Sequence, residues 1–171
     1  MAQSAHAPHL GMKLIAWRPA LLAGLIGSVA YLLMQFLWAS LLTGEGAWVW
    51  VRMSGAIVLG RDALPPPDTF EPVIFIVALL VHVALSLVYG VALAVLLSHW
   101  DSGLPRWKSG IAALVGAVFG LLVYLLNYYV LVAWFPWFAE LRHAVTLFNN
   151  VVFGAVTAFA YVHLARAPRT P

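Results

Sequence analysis

Six polar side chains stand out because they interrupt otherwise apolar text: Gln35, His82, Ser86, Asn127, Asn149 and Asn150. Together they offer hydrogen-bond donors and acceptors and, in His82, a ring nitrogen that titrates near neutrality. No Lys, Arg, Asp or Glu shares the apolar stretches with them. The chemistry available is therefore hydrogen bonding to an uncharged group, or hydrogen bonding between helices that fixes their register. Carboxylate acid–base work and a Ser-His-Asp triad are excluded from the same stretches, and the chain is expected not to be an enzyme. If the helices close into a bundle, the six converge on one small polar site; the plainer expectation is interhelical glue.

The histidines permit one sharper chemistry. His82 with His143, and His99 with His163, form two pairs near opposite ends of two apolar stretches, the arrangement by which axial imidazoles hold haem. Haem is the outside alternative to the main expectation of no cofactor and no metal, because histidine is also common at helix ends. The sequence has no cysteine, which removes disulfides, thiolate nucleophiles and Cys-ligated metal centres. It shows no phosphate-binding glycine loop and no nucleic-acid motif.

Positioning such groups falls to long apolar helices. Of 171 residues, 64% are apolar and 9% charged, with a mean hydropathy of +0.95. A water-soluble domain of this size needs more charge than that, so the lipid bilayer is the expected surrounding. Four stretches, 20–42, 73–98, 110–133 and 144–165, each approach or exceed the roughly 20 apolar residues that cross a bilayer. The class is all-α: a single multi-pass membrane domain of four transmembrane helices. Lys13 and Arg18 ahead of the first stretch imitate a signal peptide, but the run is longer than a usual signal core and lacks a clean A-x-A site.

Two shorter apolar segments separate the spans. Residues 48–59 are too few to cross and suit an interfacial helix, with Trp48 and Trp50 at headgroup depth and Arg52 turned to water or phosphate. Residues 134–142, with Trp134 and Trp137, suit a second interfacial segment. Leu64-Pro65-Pro66-Pro67 is expected to be a stiff, extended connector.

An internal repeat organises the whole. His82–His99 and Thr146–His163, 64 positions apart, share a skeleton: His82/Thr146, Ser86/Asn150, Gly90/Gly154, Ala94/Ala158 and His99/His163. Four-residue spacing stacks each set on one helix face. The first and third spans echo each other in Gly27-x-x-x-Tyr31-Leu32-Leu33 and Gly120-x-x-x-Tyr124-Leu125-Leu126. The chain thus reads as two tandem helical hairpins of the same orientation, with Gly90 expected to meet Gly154 and with Gly116-x-x-x-Gly120 a further small-residue face.

Charge sets the orientation. Lys13, Arg18, Arg106, Lys108, Arg166 and Arg169, opposed by Asp101, fall at the two termini and the 99–109 turn. Arg52, Arg61 and Arg142 share the other two loops with Glu45, Asp62, Asp68, Glu71 and Glu140. Basic loops stay in the cytoplasm, so both termini are expected inside.

The motif His82-x-x-x-Ser86-x-x-Tyr89-Gly90, with Phe153-Gly154 in the fourth span, resembles small four-span proteins of the bacterial inner membrane, some of which carry transporter-like names. The likeness covers most of residues 20–165 and implies a bacterial inner-membrane location but no particular activity. The leading functional expectation is an accessory or self-associating component of the membrane, as a homo-oligomer or within a larger complex. A small channel or transporter for a neutral solute or ion, through a polar site near His82, comes second, and a haem-binding electron carrier third.

Overall fold

The computed structural model describes residues 15–44, 46–100 and 109–166. Every regular element among them is helical. Helix α1 spans Trp17–Met34, passes through a π-helical segment Gln35–Ala39 and ends in the short α2, Ser40–Thr43. Helix α3 is Ala47–Leu59 and α4 is Pro72–Trp100. Helix α5, Ser109–Leu125, also runs into a π-helical segment, Leu126–Val130, followed by a 3-10 turn. A 3-10 helix at Pro136–Leu141 precedes α6, Ala144–Arg166. Four of these stretches are long and apolar enough to cross a membrane: Trp17–Trp38, Pro72–His99, Ser109–Ala133 and Ala144–Arg166.

Local chemistry sets the helix starts. Pro72 fills the first position of α4, where its missing N–H costs nothing, and the Glu71 carboxylate accepts the Ile74 N–H at 2.7 Å. His143 plays the same part at α6, its Nδ1 accepting from the Thr146 N–H at 3.3 Å. Gly60, at φ +83°, closes α3 in a left-handed conformation that a side chain would disfavour.

Helix α1 packs against both α4 and α6, and α5 packs against α6, while α4 and α5 barely touch. The expected meeting of Gly90 with Gly154 does not occur. A Cβ added at Gly90 would lie 2.7 Å from the Gly24 Cα of α1, whereas one at Gly154 would strike the backbone of Gly116 and Gly120 on α5. Gly120 in turn abuts the Asn150 backbone, and Gly116 abuts Gly154 and Ala158. The stripes of α4 and α6 therefore each face the span that precedes them, the Gly116–Gly120 stripe of α5 faces α6, and all three are buried within the molecule. Glycines permit a close approach, but which helix approaches is decided by the loops and by bulk elsewhere.

The bundle has two levels. At the end holding the start of α1 and the end of α6, the core is small and dense: Ala20, Ala23, Leu93, Ala94, Leu97, Ala112 and Ala158 are 0–2% exposed. At the other end it is aromatic, built from Tyr31, Trp50, Tyr124, Tyr128, Phe138 and Phe153.

Helix α3 covers the aromatic level and corrects the sequence reading of its residues. Trp50 is buried in the core instead of lying at a surface, because Gly55 lets α3 close on Ile74 of α4. Trp48 packs on Phe36, Phe70 and Phe75. Arg52 is 5% exposed and turned inward: Nε donates to the Thr69 carbonyl at 2.9 Å, Nη1 to the carbonyls of Ala63 and Pro65, and Nη2 to the Thr69 hydroxyl at 2.7 Å. These bonds explain why residues 64–67 form a bend, with a cis Pro65–Pro66 peptide, and not an extended rod. Prolines cannot donate to one another, and the guanidinium gathers carbonyls in this loop. In the second segment Trp134 is 67% exposed, whereas Trp137 is half-buried and donates Nε1–H to the Met53 carbonyl at 3.0 Å.

Candidate functional site

Aromatic rings are too large to let four helices close, and between α4 and α5 at the aromatic level they leave a cavity of about 290 Å³. Its floor is Phe153, Ser86 and Val123, close to the level where glycines bring α5 and α6 together. Trp50, Ser54 and Ile57 of α3, with Phe135 and Phe138, line its far end. Seven aromatic residues face it: Tyr31, Trp50, Tyr89, Tyr128, Phe135, Phe138 and Phe153. Among the described residues no Asp, Glu, Lys or Arg does.

Four of the six polar residues singled out by sequence share this lining: His82, Ser86, Asn127 and Asn150. His82 and Ser86 are one helical turn apart and point the same way. His82 Nε2 faces the Ser28 carbonyl of α1 at 3.3 Å, a contact in which the ring must donate, so the neutral ring keeps Nδ1 as an acceptor. Its ring lies 5.3 Å from that of Tyr31 and 5.4 Å from that of Trp50. Asn127 accepts the Tyr89 hydroxyl through Oδ1 at 2.6 Å, which leaves its two amide hydrogens without a bond in this pair. Asn150 donates to the Thr146 carbonyl one turn back at 2.8 Å, leaving its Oδ1 as an acceptor. Across the cavity the hydroxyls of Tyr31 and Tyr128 meet at 3.3 Å; two O–H groups sharing one contact leave one proton to donate elsewhere. The site thus combines ring faces with both donors and acceptors and carries no formal charge of its own.

Gln35 and Asn149 are elsewhere. Asn149 Nδ2 donates to Gln35 Oε1 at 3.0 Å, tying α6 to the π segment of α1, and Asn149 Oδ1 has no partner. Adjacent helical residues point about 100° apart, so Asn149 and Asn150 cannot serve one site. This pair is glue. Gln35→Leu should cost about 1–3 kcal/mol, since it strands a wholly buried amide. Thermal unfolding in detergent checks this, and Gln35→Leu/Asn149→Leu should recover most of the loss; a double variant as unstable as the summed singles would contradict the pairing.

The remaining histidines take other parts. His143 caps α6 and is not in the cavity lining, while His99 and His163 each turn Nδ1 to a carbonyl four residues back on their own helix, at 2.9 Å. Among the described residues no group of three His, Asp or Glu side chains is placed to hold a metal ion. No family model, curated protein or solved structure matches the chain. The geometry alone carries the functional reading.

Tyr128 and Ser54 join the lining without any mark in the sequence, and Tyr31, Tyr89 and Trp50, noted there only as repeat, motif or interface residues, join it as well. One signal for the tyrosines exists in the text: a tyrosine deep in an apolar span needs a partner for its hydroxyl. Lys13, Glu45, Asp101, Arg106, Lys108 and Arg169, which enter the charge argument, lie outside the described residues.

Proposed function

We propose that this chain is a non-enzymatic integral membrane protein that holds a small, uncharged, largely apolar molecule bearing a hydrogen-bonding group. The observation that carries this reading is the convergence of His82, Ser86, Asn127 and Asn150 on one aromatic-lined cavity. Ligand sites are mainly apolar, with a few placed polar groups that fix orientation. A cavity of about 290 Å³ is roughly twice an engineered cavity of about 150 Å³ that holds benzene. The dense level beneath it favours a binding pocket over a continuous channel.

The test uses the protein with Trp50 as its only tryptophan, titrated with 2-bromophenol. Bromine quenches nearby indole emission, and saturable quenching of Trp50, absent in a protein retaining only the exposed Trp134, is the expected result. Quenching that rises linearly and equally in both would refute the reading.

Bilayer insertion is the second part of the proposal. The four long helices turn bulky apolar side chains outward, as α1 does with Leu21, Leu25, Val29 and Leu33, a pattern suited to lipid. With the basic termini inside, α3 and residues 134–142 lie on the outer side of a bacterial inner membrane. The native chain lacks cysteine, so single-cysteine labelling is clean. Gln3→Cys should react only from the cytoplasmic side and Pro66→Cys only from the outside; labelling of both from one side would overturn the topology.

A further inference from the structure

The cavity is open toward the side of the bundle. Helices α4 and α5 border it but barely touch, and Ala84 and Leu85 of α4 both line it and lie exposed on the outer surface. With α4 and α5 standing apart beside these residues, the gap between the helices forms a slot in the wall. Around that slot the surface is hydrocarbon: Leu80 and Val88 on α4 and Val130 on the α5 side are each more than half exposed.

Resting on the ligand-binding reading above, we infer that the occupant is a tailed lipid-phase molecule: an uncharged ring carrying a hydroxyl or carbonyl sits in the cavity, and its hydrocarbon chain leaves between α4 and α5. Three observations fit together. The volume suits a substituted ring but not a long chain as well, so a tail must lie outside. The polar side chains that line the cavity, His82, Asn127, Asn150, Tyr31 and Tyr128, supply donors and acceptors for one or two ring oxygens, while the surrounding aromatic faces stack on the ring itself. The slot gives onto the apolar flank of the helices, so loading proceeds from the bilayer without crossing water.

Two probes separate this inference from its foundation. Vesicles containing the single-Trp50 protein are titrated with 2-bromophenol and, separately, with hexadecyl 3-bromo-4-hydroxybenzoate, whose chain confines it to lipid. Saturable quenching by both is expected. Introducing Val88→Phe on the exposed flank of the slot, outside the cavity lining, should weaken the tailed probe at least tenfold while changing 2-bromophenol less than threefold. Quenching by 2-bromophenol but not by the tailed probe would overturn the lateral slot and leave the cavity reading intact. So would equal tolerance of Val88→Phe by both probes. Failure of both probes to saturate would overturn the slot and the binding function together.

Discussion

Gly154→Leu lowers the melting temperature by about 5 °C or more, or prevents recovery of folded protein from the membrane. The glycine backbone is seated against the carbonyl of Gly116 and the main chain of Gly120, so even a Cβ has no room, and an isobutyl group must force α5 from α6. Overpacking a dense core costs about 1–3 kcal/mol and sometimes more when backbone has to move, and each kcal/mol is worth about 2–4 °C in a chain of this size. Gly90→Leu acts in the same direction at the α1–α4 contact. The control is Val118→Leu, at a side chain 54% exposed on α5, which should leave the melting temperature within about 2 °C. Detergent-solubilised protein followed by light scattering and intrinsic fluorescence on heating gives the comparison. An unchanged Gly154→Leu protein would mean that these stripes do not hold the bundle.

Ser54→Phe produces the opposite pairing of effects: the protein becomes more stable and loses its ligand. Ser54 lies on α3 at the cavity wall, itself 5% exposed, and a phenyl ring there projects into empty space already bounded by aromatic rings. Filling a cavity commonly adds about 0.5–2 kcal/mol, so a rise of a few degrees is expected. Because the ring occupies the ligand's volume, 2-bromophenol binding should fall more than a hundredfold. Loss of both stability and binding would show that the wall has no spare space.

The four long helices were legible because apolar runs of this length leave few alternatives, and the described helices begin and end within a few residues of the expected spans. Side-chain destinations were less legible, for reasons that differ by residue. Arg52 and Trp50 sit in a short apolar segment whose composition is that of an interface helix; their burial follows from Gly55 docking on Ile74, a tertiary contact with no local mark. The glycine stripes were recognisable as packing faces, yet their partners were not, since a smooth face fits any other smooth face. Gly154 meets the span just before it across the short 134–143 connection, whereas Gly90 meets α1 across residues 44–71, which contain α3. Among the polar residues, four-residue spacing puts His82 and Ser86 on one helix face, and both line the cavity. Asn149 and Asn150 were separated by the helical rotation between neighbours, which spacing also contains once one asks which face each occupies. The two π segments, Gln35–Ala39 and Leu126–Val130, follow the echoed Gly-x-x-x-Tyr motifs of the first and third spans at nearly the same distance. Gln35 comes one turn after Tyr31 and Asn127 one turn after Val123, so helical spacing assigns the first to the buried face of α1 and the second to the cavity face of α5.

The most direct measurement is anomalous diffraction at the bromine edge from crystals of the full chain grown in a lipidic mesophase with 2-bromophenol. One ordered bromine in the space bounded by Trp50, His82, Asn127 and Phe153 is the predicted result. Bromine found solely along the outward, leucine-rich flanks, with that space vacant, would contradict the account.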